Sequence, residues 1–353
     1  MTNAVVQLDA TIERLGLVME PNGDPSEVEG TLNPACARTR EGALLLYPRD
    51  VAAGNISRVG RVGVVQNSGG GFTAGRDGFA LEPEAPYELR PNPGYGCEDP
   101  RVTYIPELDR YVMAYTAFGP EGPRIAVAVS DDGRSWTRIG LMRFDQPGMH
   151  VGDDKDAAFF PEPVVSPAGV PSLAFYHRPM LHLSAVDGRA AIPMIERLPF
   201  ADRESIRVGY VPVAAVKADI GAILDVMESE LVLSPDENWG SIKVGGGTPP
   251  VRIAEGWLSI FHGVDVIDNS GTRPKFRYAA GIVVHDLREP HHILYRSPKP
   301  LLAPESERER NGVVDNVVFP TGIDPRPDLG ARTFDIYYGM ADYSIGAARL
   351  RLA

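Results

Sequence analysis

An all-β fold assembled from five repeated units is what the sequence predicts, and three observations carry that prediction. Five short apolar runs rich in β-formers each close on an aromatic residue followed by polar or small ones: Ala43–Asp50 (ALLLYPRD), Tyr111–Phe118, Leu173–Met180 (LAFYHRPM), Leu258–Val264 (LSIFHGV) and Phe334–Asp342 (FDIYYGMAD). Aligned on Tyr47, Tyr115, Tyr176, Phe261 and Tyr337, they recur at spacings of 68, 61, 85 and 76 residues, too long for solenoid repeats and suited to four-stranded sheets with generous loops. The 37 glycines and 32 prolines make up about a fifth of the chain against about an eighth on average, without a period, which excludes collagen and fits a turn-rich globule. The expectation is a five-bladed β-propeller forming one domain over residues 1–353.

A second strand follows several of these runs, at Arg61–Val65, Arg124–Ser130, Tyr278–His285 and Ser344–Leu350. Asp77-Gly78 and Asp132-Gly133, each with an aromatic residue close behind, read as hairpin turns. One stretch departs from the pattern: Val216, Ile220, Ile223, Leu224, Met227 and Leu231 have the spacing of an amphipathic helix over Val213–Leu231. Residues 183–236 therefore read as a helical insertion beside the third blade, either packed on the propeller flank or forming a rim to the substrate entrance.

Lys plus Arg number 35 against 47 Asp plus Glu, a net charge of −12, which opposes the basic footprint of nucleic-acid binding. No apolar run approaches the roughly 18 residues of a membrane span. The N-terminus has neither a basic region nor an uninterrupted apolar one, so the expected location is the cytoplasm, with no membrane partner. Two cysteines, Cys36 and Cys97, support neither a disulfide framework nor a four-ligand zinc site and read as buried thiols. The seven histidines include no HExxH pair, and His291-His292 sit in a Pro-flanked turn, so no metal is expected. Gly245-Gly246-Gly247 is followed by Thr-Pro-Pro rather than Lys-Ser/Thr, which argues against a nucleotide-phosphate loop.

Strands converging on a common axis bring their ends around one pocket. The five runs end in Arg49, Thr116, His177 with Arg178, His262 and Asp342, a strongly polar set. The sharpest segment is Gly94–Arg101 (GYGCEDPR), where the carboxylates Glu98 and Asp99 are followed by Pro100 and Arg101, an acidic corner with its own counter-charge before the strand Val102–Ile105.

NPA (33–35), LLLYPR (44–49), GCEDPRVT (96–103), KDAAFFP (155–161), HRP (177–179), W-x-x-x-K-x-G-x-G-x-P-P (239–250), GWLSIFHG (256–263), NVVFPTG (316–322) and YYGMAD (337–342), taken in order, resemble glycoside hydrolase family 130, the family of β-mannoside phosphorylases and related β-mannosidases. The resemblance runs from about Asn33 to Ala348 and implies the same propeller. It implies Asp99 as the single catalytic residue, protonating the glycosidic oxygen through a sugar hydroxyl while inorganic phosphate attacks the anomeric carbon with inversion, giving α-mannose 1-phosphate. One carboxylate suffices because phosphate, unlike water, needs no base.

Lys155, Arg178 and His262 fall in motifs matching the family's phosphate-binding region, with Arg49 and Lys243 as further candidates; Asn33 and Asp342 match sugar-binding positions, and Glu98, Arg101 and His177 stand beside them as substrate contacts. The partners implied are an oligosaccharide and phosphate as co-substrate, with no prosthetic cofactor; self-association into a homo-oligomer is compatible with the sequence. Asp156 stands where an amide is also found, and the long 183–236 stretch replaces a short connection. The alternatives are an inverting β-mannosidase, with Glu162, Glu237 or Asp315 as general base, and a non-catalytic carbohydrate-binding propeller. Furanoside hydrolysis by three carboxylates fits less well, since Asn33 takes the place of the first.

Overall fold

Strand-forming sequence dominates the structure, a computed structural model that describes residues 7–149, 152–181, 188–271 and 273–353. Among these lie 22 strands and three short α-helices, so the all-β expectation holds. One sheet orders Ala10–Met19, Ser344–Leu352, Thr333–Met340 and Val318–Pro325. A second runs through Asp154–Phe159, Pro171–Pro179, Ile206–Pro212 and Glu228–Leu233, with the two-residue strand Val164–Val165 also on Pro171–Pro179, and a third through Lys243–Gly246, Trp257–Asp268, Lys275–His285 and Ile293–Arg296, with Val251–Arg252 also on Trp257–Asp268. The fourth has eight strands in two antiparallel halves, Gly30–Arg38 to Phe72–Leu81 and Tyr95–Ile105 to Thr137–Leu141. Only a two-residue parallel ladder, Ile56 with Tyr95 and Ser57 with Gly96, joins those halves.

Each four-stranded unit offers one edge strand to its neighbours. Gly30–Arg38 packs against both Tyr95–Ile105 and Val318–Pro325, and Asp154–Phe159 packs against both Tyr95–Ile105 and Lys243–Gly246. The five aromatic-ended runs form the strand next to that edge in every unit. They are covered on both faces: Tyr47, Tyr115, Tyr176, Phe261 and Tyr337 are all buried, which is why they read as continuous apolar runs rather than alternating ones.

Three local expectations are corrected. Asp132-Gly133 does lie between two paired strands, but Asp77-Gly78 lies inside the strand Phe72–Leu81, where Gly78 has φ +70° and the pairing with Ile56–Gln66 slips; it is a bulge, not a turn. The helix expected over Val213–Leu231 ends at Ala218. Asp219 is extended and its side chain accepts the amide of Gly221, which breaks the helix and caps a 3-10 segment, Ile220–Leu224; Met227 and Leu231 are exposed. The 183–236 stretch is also not wholly an insertion, because Ile206–Pro212 and Glu228–Leu233 pair as third and fourth strands of their sheet. Residues 182–187 lie outside the described residues.

Of the two roles left open for the helical part, flank packing is what Val216, Ile223 and Leu224 do. They join Ile105, Val112, Ile125, Phe159 and Phe175 in one core cluster. No helix among the described residues is long and apolar enough to cross a membrane.

Candidate active site

The site begins with a backbone irregularity repeated in three units. Pairing slips between Leu32 and Ala35, between Glu98 and Arg101, and between Lys155 and Ala158. Each slip holds one residue in the left-handed region: Asn33 at φ 42°, Asp99 at φ 45° and Asp156 at φ 62°. Asn and Asp tolerate that conformation better than other side chains carrying a Cβ, and a bulge re-aims the side chain it carries. The expected acidic corner at Glu98-Asp99-Pro100 is therefore a bulge within the strand Tyr95–Ile105.

All three bulged side chains line one cavity of about 230 Å³, together with Arg49, Lys155, Arg178, Lys243, His262, Asp342, Tyr278 and Phe319. Eight of the eleven residues expected in the site are among its walls. On one side, Asp99 Oδ1 accepts from Asn33 Nδ2 at 2.9 Å and from Arg49 Nη1 at 3.4 Å. Burial would raise the Asp99 carboxyl, but Arg49, Lys155 and Arg101 outweigh it and hold the group below its ordinary value. Asp342 has the opposite balance: burial, with Asp99 and Glu98 adding to it, pushes it up to about 6 despite Arg49 and Lys155.

On the other side, Asp156 Oδ2 accepts from Arg178 Nε at 2.7 Å and Oδ1 from Arg101 Nη2 at 3.2 Å. Burial opposes ionisation of Asp156, yet Arg178, His262 and Arg101 keep it ionised far below the carboxylate range. His262 Nε2 stands 3.8 Å from Asp156 Oδ2. Burial pushes His262 down to about 3, so it is a neutral imidazole near neutral pH and not a third cation; its Nδ1 has no partner among the described residues. Lys243 forms no ion pair among the described residues and lies 5.6 Å from the Tyr278 ring centre.

Three expected substrate contacts are placed elsewhere. Glu98 sits behind the wall, bridging Arg49 Nη2 at 3.0 Å and Lys155 Nζ at 3.0 Å. Arg101 is buried with its guanidinium spread over the carbonyls of Asp99, Gly246 and Gly247, and so braces the site. His177 has both ring nitrogens engaged, Nδ1 with Asp154 at 2.7 Å and Nε2 with Ser229 at 2.7 Å, and packs on Phe144 and Phe175. Successive strand residues face opposite ways, so a strand that turns Arg178 to the cavity turns His177 away. Of the proposed bases, Glu162 pairs with Arg252, Glu237 and Asp315 are exposed, and none lines the cavity.

Two carboxylates at the site were not anticipated as parts of it. Asp156 repeats the Asp99 position one unit on, a parallel visible only once the bulges are known. Glu204, which contacts Arg178 Nη1, carries no local sequence signal at all. A larger cavity of about 530 Å³ opens around Cys36, Tyr104, Pro249, Pro325 and Phe334, but its charged side chains are already paired, Arg38 with Asp324, Arg252 with Glu162 and Arg326 with Asp328. Glu289, His291 and His292 could hold a metal ion, but they stand on the turn between Lys275–His285 and Ile293–Arg296, outside the cavity walls.

Residues 221–353 match the profile of a family described as beta-1,4-mannooligosaccharide phosphorylase. A 1,2-beta-oligomannan phosphorylase and a beta-1,2-mannobiose phosphorylase, both from Thermoanaerobacter sp. (strain X514), are each 29% identical to this chain, over 80% and 79% of it and over 78% and 75% of their own lengths. The beta-1,2-mannobiose phosphorylase of Listeria innocua, solved with beta-1,2-mannobiose, shares the fold with a TM-score of 0.62 at 22% identity over 96% of each chain. The profile match on residues 221–353, the two relatives that each span about four fifths of the chain and the shared fold together support membership of glycoside hydrolase family 130.

Proposed function

We propose that the protein is an inverting phosphorylase of β-mannosides, with Asp99 as general acid, built as one five-bladed β-propeller domain whose cavity lies where the five edge strands meet. The observation that carries this reading is the pairing, in one cavity, of a buried bulged carboxylate with cations from three other strands, Lys155, Arg178 and Lys243. Such cations can hold a phosphate dianion in line with the leaving group. Asp99 gives its proton, through a sugar hydroxyl, to the glycosidic oxygen as the C1–O bond breaks, and phosphate oxygen forms the new bond to C1 on the opposite face. The proton lost from phosphate restores the acid, and α-mannose 1-phosphate and a shortened acceptor leave. Asn33 orients Asp99, and Asp342 accepts a sugar hydroxyl. The reading is supported by the relatives, which are phosphorylases of β-1,2-linked mannosides, and a phosphate-rich cytoplasm suits it.

A second reading, inverting hydrolysis, is favoured by Asp342 alone, a carboxylate pushed up to about 6 that shares the cavity with Asp99 and could serve as base to a water. Incubation of the purified protein with β-1,2- and β-1,4-linked manno-oligosaccharides, with and without inorganic phosphate, separates the two. Phosphate-dependent release of a sugar 1-phosphate is expected; full-rate release of free mannose without phosphate would establish hydrolysis.

A further inference from the structure

The helical stretch after the strand Pro171–Pro179 brings one more charged group behind the cavity wall, against Arg178. Following the helix Gly188–Arg197 and the 3-10 turn Phe200–Asp202, Arg203 donates to the carbonyls of Leu198 at 3.1 Å, Glu196 at 2.9 Å and Ser241. One guanidinium thus fastens the end of the helix to the segment leading into Lys243. The next residue, Glu204, accepts the Val244 amide on its backbone carbonyl at 3.0 Å. Its carboxylate takes Arg178 Nη1 on Oε2 and the Leu181 amide on Oε1 at 3.3 Å. Arg178 is then held at three points: its backbone amide by Asp154 at 2.9 Å, Nε by Asp156 at 2.7 Å and Nη1 by Glu204. Nη2 has no partner among the described residues.

We propose that Glu204 is a positioning residue for phosphate, clamping Arg178 against Asp156 so that the remaining guanidinium nitrogen is presented to the anion; the inference rests on Arg178 being a phosphate ligand. A long cationic side chain otherwise loses rotamer freedom when it binds, and a guanidinium already fixed in a fork geometry does not. The clamp withdraws part of the positive charge, so its benefit is orientation. It also gives the segment 188–204, distinct from the flank-packing residues Val216, Ile223 and Leu224, a task of its own, since that segment carries Glu204.

The test is steady-state kinetics of the full-length enzyme with phosphate and a β-mannobiose varied separately, alongside thermal melting. Glu204→Ala is expected to raise the Michaelis constant for phosphate about tenfold, the lower end of what a charge-assisted hydrogen bond supplies, while that for the mannoside stays where it was. Glu204→Gln, which retains an acceptor at the same reach, should restore most of the phosphate affinity, and Glu204→Asp, which retains the charge but falls short of Arg178, should not. Because Glu204 acts through Arg178, adding Glu204→Ala to Arg178→Ala should raise the phosphate constant no further. If Arg178→Ala raises the phosphate constant and neither Glu204→Ala nor Glu204→Asp does, or if the Glu204 variants raise both substrate constants together with a lowered melting temperature, the positioning role is overturned. If Arg178→Ala itself leaves phosphate use unchanged, the ligand assignment of Arg178 fails and the inference falls with it.

Discussion

The amide nitrogen of Asn33 lies 2.9 Å from Oδ1 of Asp99, joining the bulges of two neighbouring units, and the third such bulge, at Asp156, faces the same cavity. One backbone device therefore delivers an amide, an acid held beside it, and a carboxylate committed to two arginines. The surroundings of each decide its chemistry.

Asp99→Asn should remove most turnover, by about 10²–10⁴-fold or more, which is the usual worth of a placed general acid. Its melting temperature should stay close to that of the parent, because an amide can still accept from Asn33. Glu98→Gln, behind the wall, should cost less. Initial rates on an unactivated mannoside check both, and an Asp99→Asn enzyme retaining more than about a tenth of the parent rate would remove Asp99 from the role.

The proton on Asp99 should depend on phosphate. Arg49 and Lys155 hold the carboxyl below its ordinary value, a poor state for an acid. An anion bound at Lys155 cancels part of that effect and raises the carboxyl towards neutral pH. A general acid loses activity as pH rises through its pKa, so the alkaline limb of kcat at saturating phosphate should lie at higher pH than that of kcat/KM for phosphate. Identical limbs would show that the anion does not share the field of Asp99.

Acid should weaken the fold through His262. Its native value of about 3 lies below the unfolded value of about 6.5, so between these the unfolded chain binds the extra proton and stability falls with falling pH. The loss between pH 6.5 and pH 5 should be about 1.6 kcal/mol from this group. Denaturant melts across that window, compared with His262→Asn, measure it: the variant's curve should be flatter.

Removing Asp156 should be among the most damaging single changes in the chain. Its carboxylate is the counter-charge to buried Arg101 and Arg178, and breaking a buried pair typically costs 3–5 kcal/mol, so Asp156→Ala should destabilise by about that much. Because Asp156 stays ionised in the native state well below the unfolded carboxylate value, its contribution is present above pH of about 3.9 and fades as pH falls below it. The difference between parent and variant should therefore shrink in strong acid, as denaturant unfolding at several pH values would show.

Gly245 gives a test of shape alone. A Cβ there would stand 2.3 Å from His262 Cε1 and 2.4 Å from Asp156 Oδ2, closer than any real contact. Gly245→Ala should push both side chains aside and raise the phosphate constant at least about tenfold, comparable to losing one charge-assisted contact. An unchanged constant would mean that His262 and Asp156 do not shape the anion site.

What could be read from the sequence, and what could not, follows from burial. The second strand of every unit is covered on both faces, so its apolar run survives in the sequence, as at Tyr111–Phe118. Ala10–Met19 alternates exposed and half-buried positions and Ile206–Pro212 follows a helix, and neither repeats the aromatic-ended pattern. Asp99 announced itself by its neighbours Glu98, Pro100 and Arg101. His177 was misplaced because adjacency in a strand means opposite faces, and Glu204 was invisible because its importance comes from Arg178, which is distant in sequence and adjacent only in space.

The pairing of Ala10–Met19 with Ser344–Leu352 has a consequence for biogenesis. The last sheet takes its outer strand from the opposite end of the chain, so during synthesis that strand must wait, unpaired, until its complement emerges from the ribosome. Closing so long a loop is slow compared with forming local hairpins. A shortened chain lacking Ala10–Met19 would leave Ser344–Leu352 as a bare sheet edge, a template for pairing with other molecules. Its failure would show first as aggregation.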